Sequence, residues 1–220
     1  LIALTLAICS ALSVPAEGLA VATGSEITSF DAAKGQLPEG IAVSRDALYV
    51  GIASTGEIWK VTRAGQRSLF AKAPTPVEGK GFLTGLAVAS NGDVLAALTS
   101  FAPEVKPGIY RVSKDGGTAT LFAEHANMKF PNGLAFAASG DLLVSDSAGT
   151  VFQVTPRGNV SVLLRDDKLT GDKSGATSPS APGAKFGLDI GVNGIALARD
   201  GRVYAVNSDR GTILSFAFDA

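Results

Sequence analysis

The chain has 220 residues, 46% of them hydrophobic and 18% charged, with 19 basic and 20 acidic residues and a formal net charge of −1. This predicts one globular domain with a substantial core, and the balanced charge excludes a basic surface for nucleic acid and a polybasic stripe for a membrane. A single cysteine, Cys9, and a single histidine, His125, exclude a disulfide framework and a zinc site built from both residue types. Any chemistry is therefore expected to use oxygen ligands and carboxylates.

The first 16 residues have the pattern of an incomplete signal peptide. Residues 1–14 are uncharged and apolar, and Pro15, Ala16 and Glu17 follow, with a small residue suited to cleavage. The run is shorter than the roughly 20 residues that a membrane-spanning helix needs, so we expect no membrane span in the mature protein. This interpretation predicts a secreted or periplasmic protein; a buried N-terminal strand or helix is the alternative.

A short core of the form turn residue, glycine, aliphatic residue, alanine recurs four times in the rest of the chain. Its glycines, Gly40, Gly85, Gly133 and Gly194, are spaced by 45, 48 and 61 residues. A fixed period of this size indicates repeated structural units such as propeller blades. The four cores are residues 39–43, 84–88, 132–136 and 193–197.

Each core is expected to open a unit of antiparallel strands. A polar turn follows each core, and pairs such as Asn91-Gly92 supply the positive-φ residue of a two-residue hairpin. A short apolar return strand comes next, then a third strand with alternating polarity. Three units add an outer strand. The third strands are residues 58–61, 109–112, 151–154 and 213–216, and the outer strands are 68–70, 120–122 and 160–163.

The repeat predicts an all-β fold, a β-propeller of four-stranded antiparallel blades, over residues 17–220. A sandwich would not repeat the same strand order with the same turns four times. We expect the four blades to belong to a larger ring whose C-terminal part is missing; a closed four-bladed ring is the alternative. Residues 27–30 resemble an outer strand and would complete the last blade. A Gly/Ser/Pro-rich insertion at 165–191 is interpreted as a surface loop or as a lid.

The residues directly before the repeated glycines are expected to face the central channel: Glu39, Thr84, Asn132 and Asn193. Glu39, Asn132 and Asn193 offer one carboxylate and two carboxamides from different blades. Such a set of oxygen donors suits a hard cation such as Ca²⁺. The alternative is that these are ordinary turn residues, since Asn-Gly is a common turn sequence.

Three stretches resemble the senescence-marker-protein/gluconolactonase family of six-bladed calcium propellers: residues 37–42, 130–147 and 192–211. The family belongs with the paraoxonases, diisopropyl fluorophosphatase and strictosidine synthase. The resemblance implies a six-bladed ring, calcium or another divalent cation as cofactor, and Glu39, Asn132 and Asn193 as its ligands. Thr84 would line the substrate site. The family's axial catalytic aspartate has no match in this sequence.

The resemblance further implies a hydrolase in which the metal polarises a lactone or ester carbonyl of a small-molecule substrate. The catalytic acid or base is not identified by the sequence; Asp146 and Asp209 follow second strands and are either functional groups at the rim or turn caps. A non-enzymatic NHL-like propeller that binds a peptide, glycan or small ligand on one face is the alternative. A strictosidine-synthase-like propeller without a metal is a third interpretation.

Overall fold

A computed structural model describes residues 24–74, 80–172, 174 and 187–218, and the predicted signal peptide lies outside them. Apart from two single-turn 3-10 helices, Ala32–Lys34 and Asp167–Leu169, the regular structure in this part of the chain consists of β-strands. Neither helix is long or apolar enough to cross a membrane. The predicted all-β fold is confirmed.

The strands form four consecutive antiparallel sheets, which we call blades 1 to 4. Blade 1 contains β1 (Pro38–Val43), β2 (Ala47–Ile52), β3 (Glu57–Thr62) and β4 (Arg67–Lys72). Blade 2 contains β5 (Gly81–Val88), β6 (Val94–Ser100), β7 (Gly108–Val112) and β9 (Thr120–Ala123). Blade 3 contains β10 (Pro131–Phe136), β11 (Leu142–Asp146), β12 (Thr150–Val154) and β13 (Val160–Arg165). Blade 4 contains β14 (Val192–Leu197), β15 (Arg202–Asn207) and β16 (Thr212–Ala217). The two-residue strand β8 (Gly117–Thr118) pairs in parallel with β4.

Each blade packs face to face on the next through apolar side chains. The first strands of successive blades, β1, β5, β10 and β14, contact one another in that order. The second strands of blades 1 to 3 are almost wholly buried. In blades 2 and 3 a neighbouring blade covers each face, whereas in blade 1 blade 2 covers one face and Phe30 and Trp59 pack against the other. In blade 4 the second strand β15 alternates between buried and exposed residues, since one of its faces is uncovered. The four blades therefore form an open arc.

The hairpins at the far end of the first strands differ in detail from the prediction. Gly92, Gly140 and Gly201 have the predicted positive φ. Two-residue hairpins are wrong for these blades: Ala89, for example, bonds to Asp93 across a loop of three residues. This is the hairpin in which a type I turn is followed by a left-handed glycine. In this hairpin only Gly92 needs a positive φ, and Asn91 keeps a negative one. A two-residue type I′ loop would need a positive φ at both of its residues.

Two segments outside the blades bear on the site. The start of the predicted insertion is ordered, because Leu169 is fully buried against blades 3 and 4, while residues 173 and 175–186 lie outside the described part. Residues 27–30, predicted to complete the last blade, form no strand. Instead, the Phe30 ring packs edge-on against Trp59 of blade 1, with the ring centroids 6.1 Å apart.

Candidate functional site

A β-bulge interrupts the first strand of every blade at the same place. The register with the second strand shifts between Pro38 and Ile41 in blade 1, and the same shift recurs in the other three blades. Bulges re-aim side chains and often occur beside functional sites. The bulged residues are the predicted site residues and the glycines that follow them: Glu39-Gly40, Thr84-Gly85, Asn132-Gly133 and Asn193-Gly194.

The repeated glycines bring the predicted site residues of neighbouring blades together. A Cβ placed on Gly40, Gly85 or Gly133 would lie within 3.0 Å of a backbone carbonyl oxygen in the next blade. Those carbonyls belong to the site residue that follows in the ring, namely Thr84, Asn132 and Asn193 in turn. All three glycines have negative φ, so they are required for close approach and not for a left-handed turn.

The two predicted asparagine ligands are held in the same way. Asn132 donates from Nδ2 to Ser147 Oγ at 3.3 Å, and Asn193 donates from Nδ2 to Ser208 Oγ at 3.1 Å. Neither Oδ1 accepts a hydrogen bond from the described residues, and neither is a fully buried unpaired atom, so both reach solvent. Two carboxamide oxygens from adjacent blades are thus available to a cation.

Sequence reasoning missed the hydroxyl groups that fix these carboxamides. A serine or threonine lies 15 residues after each predicted site residue: Ser54, Thr99, Ser147 and Ser208. In blades 2 and 3 this hydroxyl also donates across the blade boundary, from Thr99 to the Pro131 carbonyl at 3.0 Å and from Ser147 to the Val192 carbonyl at 2.9 Å. The constant spacing was the signal that could have identified them.

The other two predicted site residues have contrasting environments. Glu39 is exposed on one side, while the protein atoms on its other side raise its pKa above the ordinary value, because partial burial disfavours the charged form. Thr84 is buried, with its hydroxyl 2.9 Å from the Pro131 carbonyl and 3.1 Å from the Ala97 carbonyl. That hydroxyl can donate only to main-chain carbonyls in this geometry, so a substrate contact for Thr84 stays a prediction.

The two candidate aspartates accept hydrogen bonds from backbone N–H groups of neighbouring loops. Asp146 is fully buried and accepts from the backbone N–H groups of Lys129 at 2.7 Å, Phe130 at 2.9 Å and Ala148 at 3.0 Å. Burial raises the pKa of Asp146 although these three bonds act to lower it. Asp209 accepts from the N–H groups of Asp172 and Ile190, each at 2.8 Å. Both carboxylates anchor the chain that leads into a first strand.

Within the described residues, no three His, Cys, Asp or Glu side chains gather where they could share a metal ion. The candidate set instead combines one carboxylate with two carboxamides. A cleft of about 670 Å³ is elsewhere: it lies between blades 2 and 3 at the hairpin end and includes Asn91, Arg111 and Phe122.

No family model matches the chain, and no curated protein matches it in sequence. Several solved structures do match it in fold. A catalytically inactive variant of virginiamycin B lyase from Staphylococcus aureus, with quinupristin, is 16% identical with a TM-score of 0.55, covering 85% of this chain and 57% of the lyase. A calcium-binding regucalcin from Agrobacterium tumefaciens is 15% identical with a TM-score of 0.57, covering 82% and 56%. A candidate gluconolactonase is 14% identical with a TM-score of 0.55, covering 84% and 64%.

These likenesses establish the β-propeller fold. The chain spans less than two thirds of the length of each of the three proteins. Their identities of 14% to 16% are too low to transfer an activity. The predicted propeller is therefore confirmed, whereas the resemblance to one particular family stays a prediction.

Proposed function

We propose that this chain is a calcium-dependent hydrolase of the lactonase type, with the cation held at the bulged ends of the first strands. The observation that carries the proposal is the repeated pair of asparagines. Asn132 and Asn193 each donate a hydrogen bond from Nδ2 to a serine hydroxyl. Their Oδ1 atoms accept no hydrogen bond from the described residues and reach solvent. Glu39 stands at the equivalent bulge of blade 1 and adds the negative charge.

The residues present fit a calcium ion. Ca²⁺ takes about six to eight oxygen ligands, so three protein oxygens leave positions for water and substrate. Two of the structural relatives agree with this chemistry, because one is a calcium-binding regucalcin and another is a candidate gluconolactonase. When bound, such a cation polarises the carbonyl oxygen of a lactone or ester as a Lewis acid.

The roles of the surrounding residues follow from their contacts. Ser147 and Ser208 orient the two carboxamides, so that the oxygen and not the nitrogen is presented. Glu39 must be ionised to act as a ligand. Asp146 and Asp209 already accept two or three backbone N–H bonds each, and neither is assigned as the catalytic base.

Calcium titration calorimetry on the full chain tests the proposal. We expect Glu39→Gln to weaken calcium binding by about 100-fold, because an isosteric amide keeps the shape but removes the charge. Asn132→Ala should weaken it by a similar factor. Asn91→Ala is the matched control, since Asn91 also precedes a glycine but lies in a hairpin turn at the other end of the blade. Absence of calcium binding by the wild type would refute the proposal.

The raised pKa of Glu39 predicts the pH dependence of the site. A proton on the carboxylate competes with the cation, and a raised pKa makes that competition begin at a higher pH than for an ordinary glutamate. Calcium affinity should therefore fall as the pH is lowered, and the fall should begin at a higher pH than for a glutamate with the ordinary pKa. Glu39→Gln should flatten this fall in the same titration series. An equal pH dependence in both proteins would show that another group controls binding.

The cleft between blades 2 and 3 favours a second candidate function, ligand binding without catalysis. Its position at the hairpin end, away from Glu39, suits a propeller that binds a partner on one face. If calorimetry detects no calcium and the protein hydrolyses no lactone, this function becomes the better account.

A histidine-dependent lyase is a poorer fit to the site. The virginiamycin B lyase from Staphylococcus aureus is catalytically inactive in a variant that replaces a histidine with alanine. His125, the single histidine of this chain, packs its ring against Phe152 on the third strand of blade 3, with the centroids 5.2 Å apart. It therefore lies beside the third strand of blade 3, two strands along the sheet from β10, which carries Asn132.

A further inference from the structure

The cleft between blades 2 and 3 opens where blade 2 has a smaller side chain than blade 1. In blade 1, Tyr49 is 5% exposed in the core shared with blade 2, and its ring packs edge-on against Phe70, with the ring centroids 4.8 Å apart. Leu95 has the same register position in blade 2. Phe122 is the counterpart of Phe70, since the carbonyl of each lies against a turn glycine of the next blade. A leucine is shorter than a tyrosine, so the space that the Tyr49 ring fills in blade 1 is open beside Phe122.

The walls of the cleft are apolar on both sides. Leu95 and Phe122 belong to the blade 2 side, and Phe136, Leu142 and Val154 belong to the blade 3 side. Both phenylalanines are only partly buried by the core between the two blades. The volume of about 670 Å³ lies within the range of small-molecule sites, about 300 to 1,000 Å³. The cleft is therefore large enough for a small ligand, and an apolar ligand would cover exposed apolar area on its walls.

Arg111 places a positive charge in the wall of the cleft. It pairs with Leu95 across the sheet, and its guanidinium carbon lies 5.1 Å from the centroid of the Phe122 ring. Among the described residues, no carboxylate lies within ion-pair distance of Arg111, and its guanidinium donates no hydrogen bond. At the equivalent place in blade 3, by contrast, Gln153 donates to the Asp141 carboxylate at 2.8 Å. The guanidinium N–H donors of Arg111 are therefore available to a ligand.

Asp93 also lines the cleft, but its carboxylate already accepts hydrogen bonds from this chain. One oxygen accepts from the Lys114 backbone N–H at 2.9 Å, and the other accepts from Asn91 Nδ2 at 3.0 Å. The charged group with open hydrogen-bonding positions is thus the cation. The wall of the cleft therefore favours a ligand with a negative charge.

We propose that this cleft binds a small carboxylic acid with an apolar body. The carboxylate accepts from the Arg111 guanidinium, whose planar fork matches two carboxylate oxygens, and the Phe122 ring supports that fork. The apolar body lies against Leu95 and Phe136. This proposal gives a ligand class to the cleft on which the second candidate function rests, and it does not depend on calcium binding.

Titration calorimetry of the full chain with octanoate and with octanamide, its uncharged counterpart, tests the proposal. We expect octanoate to bind at one site per chain and octanamide to bind about tenfold more weakly, because the amide forms no charge-assisted pair with Arg111. Absence of octanoate binding would overturn the proposal. Equal affinity for the two compounds would also overturn it, since the carboxylate would then not be recognised.

Arg111→Gln tests the charged contact. We expect it to lower octanoate affinity about tenfold and to leave octanamide affinity unchanged. The variant should fold, because Gln153 has the same place in blade 3. Lys60→Gln is the matched control, since Lys60 has the equivalent place in blade 1, opposite Tyr49, and its replacement should leave octanoate binding unchanged. An equal loss in both variants would mean that net charge and not the cleft controls binding, which would overturn the proposal.

Leu95→Tyr tests the cleft itself. Blade 1 shows that this position accepts a tyrosine beside a phenylalanine, so the variant should keep the circular dichroism spectrum of the wild type and lose binding of both compounds. Leu69→Tyr is the control: Leu69 is 55% exposed on the outer strand of blade 1, and this variant should bind octanoate as the wild type does. Wild-type octanoate affinity in a folded Leu95→Tyr would overturn the proposal. If Leu95→Tyr does not fold, Arg111→Gln decides the question.

Calcium titration of the same proteins separates this proposal from the hydrolase. The cleft lies at the hairpin end of the blades, away from Glu39. A wild type that binds octanoate but no calcium would refute the hydrolase and support the carboxylate site. A wild type that binds calcium but no octanoate would do the reverse.

Discussion

We expect Gly85→Ala to lower the free energy of unfolding by about 3 kcal/mol or more. The new methyl group would lie within 3.0 Å of the Asn132 carbonyl oxygen, and the obstruction is backbone rather than a flexible side chain. To remove this clash, blades 2 and 3 must move apart where their backbones are closest. That movement also disrupts the apolar packing between the two blades. Urea denaturation followed by circular dichroism measures the change.

Gly194→Ala is the matched control for this prediction. Gly194 has the same place in the repeat, the same bulge and a negative φ, but among the described residues only the Val206 side chain lies against it, at 3.3 Å. Its replacement should change the free energy of unfolding by less than about 1 kcal/mol. Equal losses in the two variants would mean that the bulge, and not the contact between blades, requires glycine.

The strands were predictable from the sequence because their causes are local. Alternation of polarity in residues such as Ile58 to Val61, and positive-φ glycines such as Gly92, are properties of neighbouring positions. The same local reasoning placed Gly40, Gly85 and Gly133 at the start of the first strands, but it gave no reason why these positions need glycine. Their true requirement is a carbonyl some 45 to 60 residues away in the chain, which no local pattern contains.

The candidate site was predictable only in part. Periodicity identified the four residues at the bulges, because repeated units place equivalent residues in equivalent surroundings. It did not distinguish Thr84, which is buried and bonded to carbonyls, from Asn132, whose Oδ1 reaches solvent. That distinction depends on which hydroxyl lies opposite each residue. Ser147 faces Asn132 across the sheet, whereas Thr99 turns to the Pro131 carbonyl that Thr84 also contacts.

The arc and its ends depend on long-range packing as well. The sequence suggested that residues 27–30 complete the last blade of this chain, yet they lie against blade 1 and form no strand with β16. A segment can therefore resemble an outer strand by its residues and still be placed elsewhere by packing, here by the contact of Phe30 with Trp59 of blade 1.

We also expect Asp146→Ala to lower the free energy of unfolding by about 3 to 5 kcal/mol, because three backbone N–H groups at Lys129, Phe130 and Ala148 would lose their acceptor. The stretch from Lys129 to Phe130 leads directly into β10, so loosening it should also displace Asn132. Asp146→Asn keeps one acceptor oxygen and should cost about half as much. Denaturation curves of the three proteins measure this order, and calcium titration of the asparagine variant shows whether the site moves with the loop. A loss below about 1 kcal/mol in Asp146→Ala would mean that water replaces the carboxylate, and the anchoring role would then be wrong.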